Sequence, residues 1–401
     1  MNSEQTITVQ WVDSEKEIPV NLWCKCFRPE LEGRFWYACL EHCGIEDQFQ
    51  FAYGLLYRGS EPIGIAPTFL MNVPVELIAP PLLVKLIRLV PLIGQLCPFL
   101  VCQKTLFVGS PCADEGTIGL VPGVTLTQVV PQLQDALQKR AAELKAPMIV
   151  WKDFSQSDCR QLKPLCASHG MFRVPSYPGT SLRILPGGME EYYKNLKSSR
   201  RHNLKKKLRR SQALAALDVE IVQRPSQEVL DEIFALFWQT YEKGKTKFER
   251  LNIRFFQLIA EYDTSFFVLL RDRGNGKLLS FMLCFHLGER VINKFVGFDY
   301  SVAADIYLYA RLWDAALAWV ISTGVQEFQS GQTGYRSKID LGNYLIPLTN
   351  FGKHSNSIIN FVYAQIARTI SWKTIDSDLE VHLKAHPDND CSQREDACSG
   401  D

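Results

Sequence analysis

Apolar and polar positions alternate in blocks over residues 264–342, and the blocks predict an ordered run of elements. TSFFVLLR (264–271) and KLLSFMLCFHL (277–287) flank the turn DRGNG and predict a β-hairpin. VINKFVGF (291–298) follows a short Gly-Glu-Arg turn as a third strand. Ala303 to Thr323 has the apolar spacing of a long helix, VQEFQSG (325–331) reads as a strand, and GQTGYRSKIDLG follows as a polar, glycine-rich loop. Upstream lie a short strand SLRIL (181–185), a helix from about Met189, a strand DVEIVQR (218–224) and helices over 226–243 and 252–262. A helix from Ser355 to Trp372 closes this half.

The first half follows the same grammar. FQFAYGLLYRG (49–59) and PIGIAPTFLMNVPV (62–75) predict a hairpin, TLFVG (105–109) a further strand, and Thr127 to Leu144 a helix with Val129, Leu133, Leu137 and Ala141 on one face. PMIVWKDF (147–154) is the next strand, and a short helix spans Ser157 to His169. Hairpin, strand, helix and strand thus occur twice, which predicts two copies of one fold. The expected class is α/β with mixed sheets, in an N-terminal domain 1–178 and a C-terminal domain 179–373. The tail, 378–401, is acidic and too polar to bury a core, so it is expected to be disordered.

Residues 75–104 interrupt the first domain with VELIAPPLLVKLIRLVPLIGQLCPFLVCQK. The longest uncharged apolar run, Leu89 to Cys102, counts 14 residues and contains Pro91 and Pro98. A spanning helix needs about 20. The pattern predicts short helices packed on the domain, with a peripheral membrane contact as the alternative.

Charge and cysteine content narrow the picture. With 44 Lys+Arg against 43 Asp+Glu, the net charge of +1 gives no global attraction to DNA. The 12 cysteines are scattered, and Met1 to Val9 lacks the charged and apolar regions of a secretory leader. Reduced thiols and a cytoplasmic location, at most peripheral to the inner face of the membrane, are expected. Cys24, Cys26, Cys39, His42 and Cys43 are metal-competent types, but their spacing matches no common zinc module and their neighbours are aromatic. They are read as packing residues, and no metal is expected.

Nine of the seventeen residues from Lys194 to Arg210 are Lys or Arg, with no acid among them. On a helix, Lys194, Lys197, Arg201, Lys205 and Arg209 share one stripe, while Leu196, Leu204 and Leu208 form the buried face. Like charges at this spacing repel, and a polyanionic partner relieves the repulsion. Coenzyme A, tRNA, a nucleotide-linked substrate and acidic lipid headgroups all qualify. Lys294 breaks the apolar run VINKFVGF, and by strand alternation it shares a face with Ile292 and Val296.

The order strand, strand, strand, helix, strand, ending in a polar glycine-rich loop, resembles the GNAT superfamily of acyltransferases, in particular its FemAB-type branch. That branch also carries two such domains in tandem and a basic helix with the pattern S-R-x-x-x-x-x-x-x-R, which Ser199, Arg200 and Arg209 or Arg210 fit loosely. The resemblance implies attack of an amine on a thioester or ester, with acyl-CoA or aminoacyl-tRNA as co-substrate and no tightly bound cofactor. It places the donor where the strand before the long helix splays from the strand after it, next to a phosphate-binding loop R/Q-x-x-G-x-G/A. That position reads Asp299-Tyr300-Ser301-Val302-Ala303-Ala304-Asp305, without the glycines, which favours the FemAB-type branch over ordinary acetyltransferases.

Within this frame Glu242 is the expected base, Tyr300 the expected acid, and Asp299 a further catalytic candidate. Arg200, Arg201, Lys205, Arg209, Lys294, Gln329, Tyr335 and Lys338 are the expected substrate contacts. Tyr335, Arg336 and Lys338 are expected to project from the glycine-rich loop. The expected function is transfer of an acyl or aminoacyl group to an amine. The alternatives are acyl-CoA-dependent N-acetylation of a small amine, or a non-catalytic adaptor that binds RNA or acidic membrane through helix 194–210.

Overall fold

The computed structural model describes residues 6–27, 33–74, 102–244 and 249–391. Of the insertion 75–104, residues 75–101 lie outside this range, as do 392–401 of the tail. Two mixed sheets carry the fold. The first has the order β1 (Ile7–Val12), β2 (Gln50–Arg58), β3 (Glu61–Pro74), β4 (Cys102–Val108), β6 (Met148–Ser155), β15 (Leu348–His354), β7 (Phe172–Pro175), with β5 (Gly119–Leu120) paired to β3. The second runs β14 (Tyr344–Ile346), β8 (Gly179–Arg183), β13 (Glu327–Gln329), β12 (Arg290–Phe298), β11 (Leu278–Leu287), β10 (Ser265–Asp272), β9 (Leu217–Val222). The predicted hairpins are present as β2–β3 and β10–β11.

The helices follow the apolar periodicity. Leu126–Glu143 lays Val129, Leu133, Leu137 and Ala141 on the first sheet. Leu308–Ser322 buries Leu312, Trp313, Ala316, Leu317 and Val320 on the second. A third apolar cluster joins the domains. Helix Arg34–His42 packs on helix Ile253–Ala260, and the Trp36 ring meets Phe255 and Phe285 edge-on at 6.0 and 5.9 Å. Such aromatic contacts bury large areas and fix the angle between their elements. Cys26, Cys39 and Cys43 are buried in this cluster.

Three expectations change. The boundary near residue 178 is not a clean cut, because β15, from the C-terminal half, is inserted between β6 and β7 of the first sheet. The loop expected at 330–342 contains a helix, Tyr335–Asp340. The tail expected to be disordered from 378 is folded through its first part. Asp376 caps helix Ser377–Ala385, whose Leu379 and Leu383 are fully buried with Tyr335 and Trp372. Two leucines four residues apart make a helical face that the average polarity of the tail conceals. No helix among the described residues is long and apolar enough to cross a membrane.

Candidate active site at the domain junction

β12 and β13 run parallel from the Arg290–Glu327 pair to the Ile292–Gln329 pair and then separate. The β12 side of the opening carries a bulge. In its ladder with β11, Leu283 faces Phe295 and Cys284 faces Asn293, so the register steps over Lys294. Bulges re-aim side chains, and the simple alternation that groups Lys294 with Ile292 and Val296 fails at this point. The Lys294 side chain is 4% exposed, with Nζ 3.4 Å from Asp114 Oδ2 and 4.8 Å from the centre of the Trp36 ring.

Asp114 comes from the first domain, on the loop after β4. That loop needs glycine at 116, where a Cβ would lie 2.0 Å from the Lys152 carbonyl oxygen. On the facing side, Gly331 adopts φ 57°, and a Cβ there would lie 3.0 Å from Asp114 Oδ1. The two loops therefore meet through a residue without a side chain.

Lys338 fixes the wall opposite β12. Its Nζ donates to the carbonyls of Ser330, Gly331 (3.3 Å) and Gln332 (2.9 Å), which tethers the segment leaving β13. Burial drives its pKa down to about 7, against the pull of Asp114. Gln329 accepts from Arg290 Nη1 at 2.8 Å, and Arg290 lies 3.9 Å from Glu115.

Glu249 completes the cluster. Burial raises its carboxyl to about 7, although Lys152 and Lys294 both oppose the rise. Lys152 pairs with Asp153, a buried residue held at φ 59° whose carboxylate also accepts from Ser176 Oγ and whose backbone N–H donates to Asn350 Oδ1 at 2.7 Å. A left-handed non-glycine residue costs about 1–3 kcal/mol and persists where the surroundings over-determine it. The junction thus holds four cations (Lys152, Arg290, Lys294, Lys338) and four carboxylates (Asp114, Glu115, Asp153, Glu249), drawn from both domains.

The residues expected from sequence divide between this junction and its surroundings. Lys294, Gln329 and Lys338 are in the junction. Tyr335 does not project: it is fully buried, its hydroxyl donates to the Pro178 carbonyl at 2.9 Å, and it packs with Trp372. Lys338 likewise turns inward. Glu242 is exposed at the end of helix Gln227–Lys243 and accepts from Trp238 Nε1 at 3.0 Å. Tyr300 is 41% exposed under Lys243, whose Nζ lies 3.7 Å from its ring centre. Asp114, Glu249, Lys152 and Trp36 also stand at the junction, and sequence reasoning does not single them out for it. Each stands on a separate loop, strand or helix, and only the folded chain brings them together.

Asp299 has a definite structural task. Its Oδ1 accepts from the Ser301 backbone N–H (2.9 Å) and hydroxyl (2.6 Å), and Oδ2 lies 2.6 Å from Lys277 Nζ. Burial works to raise its pKa, but Lys277 and Ser301 prevail and hold the carboxyl below its usual range. A backbone donor that a pyrophosphate would seek at this turn is therefore held by the chain's own carboxylate. Asp305 pairs with Arg210 at 3.0 Å, which ties the basic helix to the same turn.

The basic segment breaks at Leu196–Lys197, and the helix proper is Ser198–Leu214, with Leu204 and Leu208 buried as expected. Acids distant in sequence balance part of it: Asp340 lies 3.8 Å from Arg200 Nε. Arg201 donates to the Lys194 carbonyl at 3.2 Å, and Lys205 Nζ sits 4.9 Å from the Tyr193 ring centre. Lys205, Lys206, Lys207 and Arg209 remain exposed.

Residues 198–338 match the family model for the acetyltransferase (GNAT) domain. This region is similar to the GNAT acyltransferases. Among solved structures, FemX superposes with a TM-score of 0.56 at 11% identity, covering 88% of this chain and 99% of that one, so the two share a fold. Looser similarity extends to L-PGS from Bacillus licheniformis (TM-score 0.46, 11% identity, 66% of this chain and 82% of that one). A tandem GNAT protein from the clavulanic acid biosynthesis pathway gives a TM-score of 0.43 at 9% identity, over 77% of this chain and 84% of that one. No curated protein matches the chain by sequence. The GNAT domain's diverging strands are β12 and β13, and the junction cluster lies at their opening. Both sheets are mixed, and residues 198–338 are GNAT-like.

Proposed function

We propose that the junction is the acyl-transfer centre, and that it moves an aminoacyl or acyl group from an anionic activated donor to an amine, as in FemAB-type transferases. The observation that carries this reading is Lys294. It is a buried cation at a β-bulge on the diverging GNAT strand, facing a carboxylate from the other domain.

In the reaction the acceptor ammonium must lose a proton before its nitrogen attacks the donor carbonyl. Glu249, with a carboxyl poised near neutrality, takes that proton. The Lys294 ammonium stabilises the tetrahedral oxyanion in a site shielded from water. Collapse of the intermediate forms the amide and breaks the ester or thioester bond, and the proton shed by the attacking nitrogen passes to the leaving oxygen or sulfur. Lys338 positions the wall and touches no reacting atom.

For the donor, the turn at 299–305 is a poor fit for the coenzyme A pyrophosphate, because Asp299 already engages Ser301 and Asp305 adds a second negative charge. The basic helix joined to that turn suits the phosphate backbone of an aminoacyl-tRNA better. The same closed turn favours, as a second reading, an adaptor that binds RNA without turnover. Single-turnover transfer from labelled aminoacyl-tRNA or acyl-CoA to an amine acceptor separates these readings. Transfer from aminoacyl-tRNA is expected. Preferential turnover of acyl-CoA would reassign the donor, and RNA binding with no transfer from either would leave the adaptor.

A further inference from the structure

The helix Ser357–Ala367 stands apart from every group used above. Its sequence, SIINFVYAQIA, contains no charge, and Ile358, Phe361 and Val362 are 73%, 64% and 47% exposed. The spacing i, i+3, i+4 puts the three on one ridge. The opposite side is anchored: Tyr363 packs edge-on against Phe172 at 6.2 Å and His354 at 5.8 Å. Asn356 caps the first turn by accepting from the N–H groups of Ile358 and Ile359. A firmly held helix thus presents an apolar ridge to solvent.

Two features indicate what covers it. From Leu341 to Ile375 the sequence contains no Asp or Glu; Lys353 and Arg368 flank the helix, while Lys373 pairs with Asp390 at 3.0 Å. The Tyr363 hydroxyl also reaches Gln103 Oε1 at 3.4 Å, one residue beyond the point where the chain re-enters the first sheet at Cys102. The segment that ends there, residues 75–101, is strongly apolar with Glu76, Lys85 and Arg88 as its only charges. An apolar ridge with basic flanks matches the design of an interfacial helix. A second copy of the chain would meet the ridge with like charges, and segment 75–101 carries net positive charge itself. Neither gains from a basic border. An anionic surface does.

We propose that helix Ser357–Ala367 docks the protein onto an anionic lipid bilayer, with Ile358, Phe361 and Val362 entering the boundary between headgroups and acyl chains. The contact is independent of the catalytic reading. It leaves the basic helix for a different anion.

The test is co-sedimentation of the full chain with vesicles of phosphatidylcholine, with and without phosphatidylglycerol, for wild type and the variant I358S/F361S/V362S. Wild type should pellet with the anionic vesicles and much less with neutral ones. The variant should lose about tenfold or more of its partition coefficient, as expected when three apolar side chains stop entering lipid. Its melting temperature should not fall, because the three side chains are exposed. Equal partition of the two proteins overturns the proposal. A variant that melts well below wild type means that the ridge is covered within the chain. A wild-type dimer that the substitutions dissociate means that a second copy covers it.

Discussion

Lys294 and Asp114 face each other across the domain junction, Nζ to Oδ2 at 3.4 Å, with side chains 4% and 13% exposed. The two charges come from different domains, so removing one upsets the charge balance of a dry interface. Breaking a buried pair costs about 3–5 kcal/mol, whereas replacing both partners by apolar groups is often close to neutral. Lys294→Met and Asp114→Leu should each destabilise on that scale, and the double variant should recover most of the loss. Urea unfolding of the four proteins gives the coupling energy. Additive losses would mean that the two charges do not sense each other.

Glu249→Gln should lower kcat by about a hundredfold or more, the usual contribution of a positioned base. The base must be ionised to work, so the wild-type rate should rise with pH through about 7, and the variant should lack this limb. Lys152 holds the carboxyl down, and Lys152→Met should therefore move the limb to higher pH. A Glu249→Gln enzyme that retains both rate and limb would remove Glu249 from the reaction.

Lys338 makes stability depend on pH in a defined direction. Its folded pKa, about 7, lies below the ordinary lysine value of 10.5. Between those values the unfolded chain binds the proton and the folded chain does not, so this group makes stability rise with pH across that window. Lys338→Met should be less stable overall, because the carbonyls of Ser330 and Gln332 lose this donor and that of Gly331 keeps only Thr180 Oγ1, and should flatten the slope. Denaturant midpoints at about pH 7 and about pH 9.5, both inside that window, measure it. An unchanged slope would mean that the lysine stays protonated throughout.

Replacing Arg201, Lys205 and Arg209 by Ala should weaken donor binding without unfolding the protein, because Leu204 and Leu208 hold the helix. If the donor is an RNA, the slope of log affinity against log salt should fall by about 0.7 for each phosphate that the variant no longer neutralises. Filter binding across a salt series is the measurement, and an unchanged slope would clear the helix of a phosphate role.

Helix Ser377–Ala385 is an integral part of the fold. Leu383→Ala removes a fully buried side chain and should cost about 2–5 kcal/mol. Truncation before Ser377 should likewise lower the melting temperature.

The strand order of the second domain and its long helix are legible in sequence, because apolar periodicity reports burial directly. The basic helix is legible for the same reason, since Leu204 and Leu208 mark its buried side. Lys294 stands out as a charge in an apolar strand, but its environment depends on a bulge that alternation cannot reveal. Glu249 and Asp114 give no local signal at all. Their chemistry arises from neighbours distant in the chain, and a carboxylate on a loop looks the same in sequence whether it meets water or a buried lysine. Tyr335 misleads in the opposite sense: its glycine-rich surroundings read as an exposed loop, although its hydroxyl has a buried partner in Pro178.

The insertion of β15 between β6 and β7 bears on how the molecule is made. β7 pairs with β15 alone among the described strands, and β15 bridges it to β6. An emerging chain therefore cannot complete its first sheet until residue 354 has left the ribosome, by which time the whole second sheet has been synthesised. The N-terminal half must wait in a partly open form, with the inner edge of β6 exposed to any competing strand. Expression of residues 1–178 alone would preserve that open edge permanently. The repeat along the chain is thus a repeat of pattern and not of autonomy, since the short strand Leu348–His354 stitches the two halves into a single folding unit.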